Sequence, residues 1–83
     1  MDYYFKPSAV RDLKKLPQSI RRTILDKLDF YTKSVNPLKF AKSLKDKTLG
    51  EFRFRIGDWR VVFDVEGGRI IILKVGHRKN IYS

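Results

Sequence analysis

The sequence predicts an α+β fold: an N-terminal strand, a helical hairpin and then a three-stranded antiparallel meander, joined in one mainly antiparallel sheet. Three observations carry this expectation. Residues 52–65 alternate apolar and polar with period two on either side of a Gly-Asp pair, residues 9–33 place apolar side chains at helical spacing around Pro17, and residues 70–75 are apolar almost without interruption.

Taken in order, residues 2–6 contain the aromatic run Tyr3-Tyr4-Phe5 and are ended by Pro7, which suits a first strand. Ser8 is then placed to cap a helix over residues 9–16, with Ala9, Val10, Leu13 and Leu16 inside and Arg11, Asp12, Lys14 and Lys15 outside. Pro17 is tolerated in a first turn and not in a helix interior, so it opens a second helix that runs to about Lys33. Ile20, Ile24, Leu25, Leu28 and Tyr31 form the buried face of that helix, which reads as scaffold: Asp26 and Asp29 share its exposed side with Lys27 and would repel phosphate. Asn36-Pro37 breaks the helix, and residues 38–49 scatter few apolar positions among Lys39, Lys42, Lys45 and Lys47, which predicts a solvated loop with a short helical turn. Glu66-Gly67-Gly68-Arg69 is a tight turn across which Glu66 and Arg69 are placed to pair, and residues 70–75 suit a strand buried on both faces.

The chemistry concentrates in the hairpin of residues 50–65. Phe52, Phe54 and Ile56 fall on one side of its first strand and Arg53 and Arg55 on the other, while Trp59, Val61, Phe63 and Val65 form the apolar side of the second. Gly57 at the first central position suits a type II′ turn. Pairing Ile56 with Trp59 then sets Arg55 opposite Arg60, and Arg53 opposite Val62. Like charges directly across strands are destabilising by about 0.2–1 kcal/mol, so folding gives no reason for the arrangement, whereas a polyanion does. Arginine rather than lysine fills all three positions, as bidentate phosphate contact requires. A merely solvated basic face is the plainer alternative, and the clustering weighs against it.

Composition agrees. The 83 residues, 42% of them hydrophobic, suit one domain over 1–83, and 19 Lys and Arg against 9 Asp and Glu give a net charge of +10 that predicts an anionic partner, either nucleic acid or an acidic protein. With no cysteine, one histidine and no cluster of acidic ligands, neither a disulfide nor a catalytic transition metal is expected. No apolar run approaches the roughly 20 residues that span a bilayer, and the N-terminus lacks a signal-peptide layout, so a cytoplasmic protein without membrane contact is expected.

The order of elements, the run Phe52-Arg53-Phe54-Arg55-Ile56-Gly57-Asp58-Trp59-Arg60-Val61 and the ending Val75-Gly76-His77-Arg78-Lys79-Asn80-Ile81-Tyr82 together resemble the RelE/ParE superfamily of toxin–antitoxin toxins, closest to its RelE branch. The resemblance spans essentially the whole chain. It implies a RelE-like fold and a type II toxin that is an endoribonuclease, cutting messenger RNA in the ribosomal A site by 2′-hydroxyl attack with no metal or other cofactor. It also implies a cognate antitoxin and a toxin–antitoxin hetero-oligomer, with the ribosome and messenger RNA as the other partners.

Carried onto matching positions, the resemblance gives catalytic roles to Arg55, Arg60, Arg78 and Tyr82, and RNA contacts to Arg53, Arg55, His77 and Lys79. Arg60 would contact the scissile phosphate, Arg78 the leaving group, and Tyr82 the 2′-hydroxyl. A free tyrosine has a pKa of about 10, so such a role needs neighbouring cations, which Arg60 and Arg78 would supply. His77 is the alternative proton carrier. Strict alternation through Leu73 and Val75 sets His77, rather than Arg78, on the arginine face, so that Arg78 needs a bend near Gly76. Two other functions stay open: a ParE-like toxin that poisons gyrase without cutting RNA, and a basic RNA-binding module without chemistry.

Overall fold

The computed structural model describes residues 1–82. Strand β1 (Asp2–Phe5) is followed by helices α1 (Pro7–Lys14) and α2 (Gln18–Lys33), a 3-10 turn (Pro37–Phe40), and strands β2 (Ala41–Ser43), β3 (Phe52–Ile56), β4 (Trp59–Glu66) and β5 (Arg69–His77). The strands form one sheet in the order β1-β5-β4-β3-β2, parallel between β1 and β5 and antiparallel elsewhere. The α+β architecture is the one expected, with one strand more: β2 lies in the segment read as loop and pairs with the start of β3.

The period-two halves fix which face is buried. Phe54, Ile56, Val61, Phe63, Ile70, Ile72 and Val75 meet Ala9, Ile24, Leu28 and Tyr31 from the helices in a single core. Aromatic rings run through it, Tyr31 tilted against Phe54 at 4.8 Å and Phe54 stacked on Phe63 at 4.4 Å between centroids. Leu25 and Ile20, expected on the buried face of α2, are only half-buried.

Ser8 is not a helix cap. Pro7 begins α1, and Lys6 precedes it without a side-chain cap bond. The Ser8 hydroxyl instead donates to the Leu73 carbonyl at 3.0 Å, and Asp12 Oδ2 accepts from the Val75 amide at 3.0 Å. Beyond the end of β1, α1 thus satisfies the edge of β5 with side chains, as buried backbone groups require. Arg69 likewise pairs with Asp2 across the parallel strands, Nε to Oδ1 at 3.2 Å, instead of with Glu66.

The register between β4 and β5 slips by one residue next to Val62 and Phe63: Lys74 opposes Val62, Ile72 opposes Phe63, and Leu73 is the extra residue of a bulge. This slip moves Val75 and everything after it by one face. At the two hairpin turns, Gly57 has φ +60° while Asp58 keeps a negative φ, as a type II′ turn requires, and Gly67 and Gly68 are both positive, as in type I′.

Candidate RNA-binding and catalytic face

The face of the sheet turned away from the helices carries the arginines. Arg55 lies directly opposite Arg60, Arg53 opposite Val62, and Ile56 opposite Trp59, the pairing that the alternating pattern predicts. Arg60 is the centre of this face. It is only 8% exposed, and its Nη1 donates to the Gly57 carbonyl and to the Trp59 carbonyl, each at 2.9 Å. A guanidinium folded back onto its own turn has lost rotamer freedom before any ligand arrives, which is what a preorganised charge needs.

Electrostatics identify its neighbours. Burial first, and then the like charges of Arg53, Arg55 and Arg78, hold the Arg60 pKa below the ordinary arginine value, while Tyr82 acts in the opposite sense. Arg53, Arg55, Arg78 and Tyr82, all singled out from the sequence, thus lie near enough to Arg60 to act on its charge.

The C-terminal turn brings the last two there. The Arg78 amide donates to the Asp58 carbonyl at 2.8 Å, and Arg78 Nε lies 3.6 Å from Asp58 Oδ1. The Asn80 and Ile81 amides both donate to the His77 carbonyl, at 2.9 and 3.0 Å. Ile81, 1% exposed, drops onto Gly76: a Cβ on that glycine would lie 3.1 Å from Ile81 Cδ1. Gly76 itself is the cross-strand partner of Arg60. The anchored turn leaves Tyr82 43% exposed at the rim of the arginine cluster, open to a ligand.

His77 does not join them. It pairs with Trp59 across β4 and β5, on the core side, and its ring meets the Trp59 ring edge-on at 5.3 Å. The expectation that His77 lies on the arginine face assumed unbroken alternation from Leu73, and the bulge there reverses it. His77 Nδ1 accepts from the Lys79 amide at 3.2 Å, so the histidine shapes the turn, and Lys79 stands exposed within that turn.

Two further residues lie beside these. Asp58 looks like a turn residue in sequence, yet its carbonyl and its carboxylate both hold Arg78. Lys42 sits on β2 directly opposite Arg53, and its signal was weak because β2 is three residues long among scattered lysines. Among the described residues, no three of His, Asp and Glu are gathered to hold a metal ion, and no helix is long and apolar enough to cross a membrane.

Comparison with known proteins places this chain among toxins. Residues 3–82 match the family model described as the ParE toxin of the type II toxin–antitoxin system parDE. The chain is 36% identical over 80 residues to Toxin RelG of Mycobacterium tuberculosis, covering 94% of this chain and 91% of that protein. It is 35% identical over 86 residues to Toxin RelE3 of Methanocaldococcus jannaschii, covering 100% and 97%. Among solved structures it is similar to the toxin–antitoxin complex RelBE2 from Mycobacterium tuberculosis, with a TM-score of 0.78 at 32% identity over 93% of this chain and 96% of that one. It is similar also to the RelB–RelE antitoxin–toxin complex from Methanococcus jannaschii, with a TM-score of 0.70 at 34% identity over 95% and 94%.

Proposed function

Because the chain belongs to the ParE toxin family of type II toxin–antitoxin systems, together with the RelE-type toxins it resembles, we propose that it acts as an endoribonuclease on messenger RNA in the ribosomal A site. The observation that carries this reading is the Arg60 guanidinium, buried and doubly held, with Arg53, Arg55, Arg78 and Tyr82 as its electrostatic neighbours. A protein that only bound another protein would have no use for a fixed guanidinium ringed by like charges, each of which raises the cost of the next.

The reaction that suits these groups is attack of the RNA's own 2′-oxygen on the adjacent phosphorus. The 2′-hydroxyl proton passes to the Tyr82 oxygen as that oxygen releases its own phenolic proton to water, the new O2′–P bond forms, and the P–O5′ bond breaks. The products are a 2′,3′-cyclic phosphate and a 5′-oxyanion, whose charge Arg78 opposes until water protonates it to the 5′-hydroxyl. The phosphorane gains negative charge on its equatorial oxygens, and Arg60 and Arg55 oppose that charge without having to reorganise. Arg53 and Lys79 contact the backbone. None of these steps draws on a metal ion. His77, turned to the Trp59 side, takes the structural part.

A cognate antitoxin is the expected partner, supported by the two structural relatives being toxin–antitoxin complexes. The test is primer extension on a defined messenger RNA in a translating extract, with the cut ends analysed chemically. Cuts within A-site codons that bear 2′,3′-cyclic phosphates, and that vanish when antitoxin is added, are expected. Intact messenger RNA in an actively translating extract overturns the reading, and inhibition of gyrase supercoiling then becomes the activity to assay.

A further inference from the structure

We propose that Lys42 and Arg53 form a second phosphate subsite, one that grips the RNA backbone beside the scissile phosphate. The proposal rests on the reading of the arginine face as an RNA-binding surface and extends it to a residue outside the hairpin. Lys42 of β2 stands directly opposite Arg53 of β3, just as Arg55 of β3 stands directly opposite Arg60 of β4. Their neighbours settle the face: Ala41, beside Lys42, opposes Phe54 and packs against the core, so Lys42 points to the other side with the arginines.

Two like-charged cross-strand pairs therefore stand side by side on one face. Each such pair works against pairing of its strands. Neither is relieved by a carboxylate: among the described residues the ion pairs are Arg69 with Asp2 and Arg78 with Asp58, and none involves Lys42, Arg53, Arg55 or Arg60. A short edge strand gains protection from self-association by carrying a lysine, but that purpose does not require the lysine to face an arginine. A ligand with a second negative charge does.

The spacing identifies the ligand. Arg53 and Arg55 are two residues apart on one strand, about 7 Å at roughly 3.4 Å per residue. The two cation pairs are displaced by that step along the strand and by one inter-strand spacing of about 4.8 Å across it, one holding the reacting phosphate and the other a neighbouring phosphate of the same chain. Lys42 is exposed and unpaired by carboxylate, and its compact ammonium contacts a phosphate as a point charge, which suits a site that holds the chain without reading its bases. The chemical class is thus single-stranded RNA, at least two phosphates long on this face.

The experiment measures binding of the whole protein to a fluorescent, uniformly 2′-O-methylated RNA 12-mer that cannot be cut, as a function of salt. Wild type is compared with Lys42→Ala, Lys42→Arg and, as a control of equal charge loss away from the face, Lys15→Ala. Lys42→Ala is expected to flatten the plot of log Kd against log salt by about 0.7, the loss of one contact to a single strand, with Lys42→Arg restoring it and Lys15→Ala leaving it near wild type. In the translating extract Lys42→Ala is expected to raise KM and leave kcat in place, as loss of uniform binding does. An unchanged slope in Lys42→Ala, an equal drop in Lys15→Ala, no salt-dependent binding by wild type, or weakened binding of antitoxin alone overturns the subsite. Normal Lys42-dependent binding without any cleavage leaves the subsite standing and overturns the nuclease reading instead.

Discussion

Arg78 is held by Asp58 through two separate contacts: its backbone amide reaches the Asp58 carbonyl at 2.8 Å, and its Nε lies 3.6 Å from the Asp58 carboxylate. The preceding residue of the same two-residue turn, Gly57, accepts from Arg60. One hairpin turn therefore sets the positions of two arginines that come from opposite ends of the candidate site. The strand pairing aims Arg60, and the turn carries Arg78 to it.

Asp58→Ala removes the carboxylate and keeps the backbone contact. Both side chains of the ion pair are more than half exposed, so stability should barely change. Cleavage should fall about tenfold, less than the roughly 100-fold that a displacement of 1 Å can cost. Parallel measurements of Tm and single-turnover cleavage check this, and an Arg78→Ala background in which Asp58→Ala has no further effect would show that the two act together.

Gly50 precedes β3 with φ +151°, and a Cβ there would lie 2.6 Å from Val62 Cγ1. Val62 is itself packed between strands, so it has no room to retreat. Gly50→Ala should destabilise the fold by about 1–3 kcal/mol, the usual cost of overpacking. In a domain of this size that lowers Tm by about 4–8 °C for each kcal/mol, and calorimetry measures it directly.

Ile81 anchors the residue next to it. Ile81→Ala should cost less than the 2–5 kcal/mol of a deep core truncation, because the turn over Gly76 is free to settle inward. Its effect on cleavage should be larger than its effect on stability, since the anchor that places Tyr82 is lost. Tm and cleavage rate, measured on the same preparation, separate the two effects.

The alkaline limit of stability depends on Tyr3. Its hydroxyl donates to Asp29 Oδ1 at 2.8 Å, and burial, followed by that hydrogen bond and the Asp29 charge, pushes its pKa up to about 12 from 10.0. The folded protein holds this proton more tightly than the unfolded chain, so the stabilisation is complete below the unfolded value and is lost as pH rises from 10 to about 12. The stability difference between wild type and Tyr3→Phe should shrink across that window in urea titrations. A constant difference would contradict the assignment.

The hairpin was readable because a period of two leaves one solution: once Ile56 faces Trp59, every arginine has its place. Pro17 similarly marked the break between the helices, since its ring fits only at a helix start. What escaped the sequence was non-local or short. Strand β2 has three residues and one weak apolar position, Ala41, so Lys42 read as solvated linker. The bulge at Leu73 leaves no compositional mark, yet it decides that His77 faces Trp59 and not Arg60. Ser8 and Asp12 read as a cap and a solvent-facing charge because their partners, Leu73 and Val75, lie more than sixty residues away. Arg69 found Asp2 rather than Glu66 for the same reason: the parallel pairing of β1 with β5 cannot be seen from either segment alone.

In the proposed reaction Arg60 supplies fixed positive charge to the reacting phosphate and Tyr82 handles the 2′-hydroxyl proton. The most direct measurement is primer extension in a translating extract with wild type, Arg60→Ala and Tyr82→Phe, each first shown to melt cooperatively. Site-specific cuts by wild type that fall about 100- to 1,000-fold in rate in Arg60→Ala, and by about 100-fold or more in Tyr82→Phe, are the predicted result. Cleavage by wild type that persists at full rate in both folded variants would contradict the account.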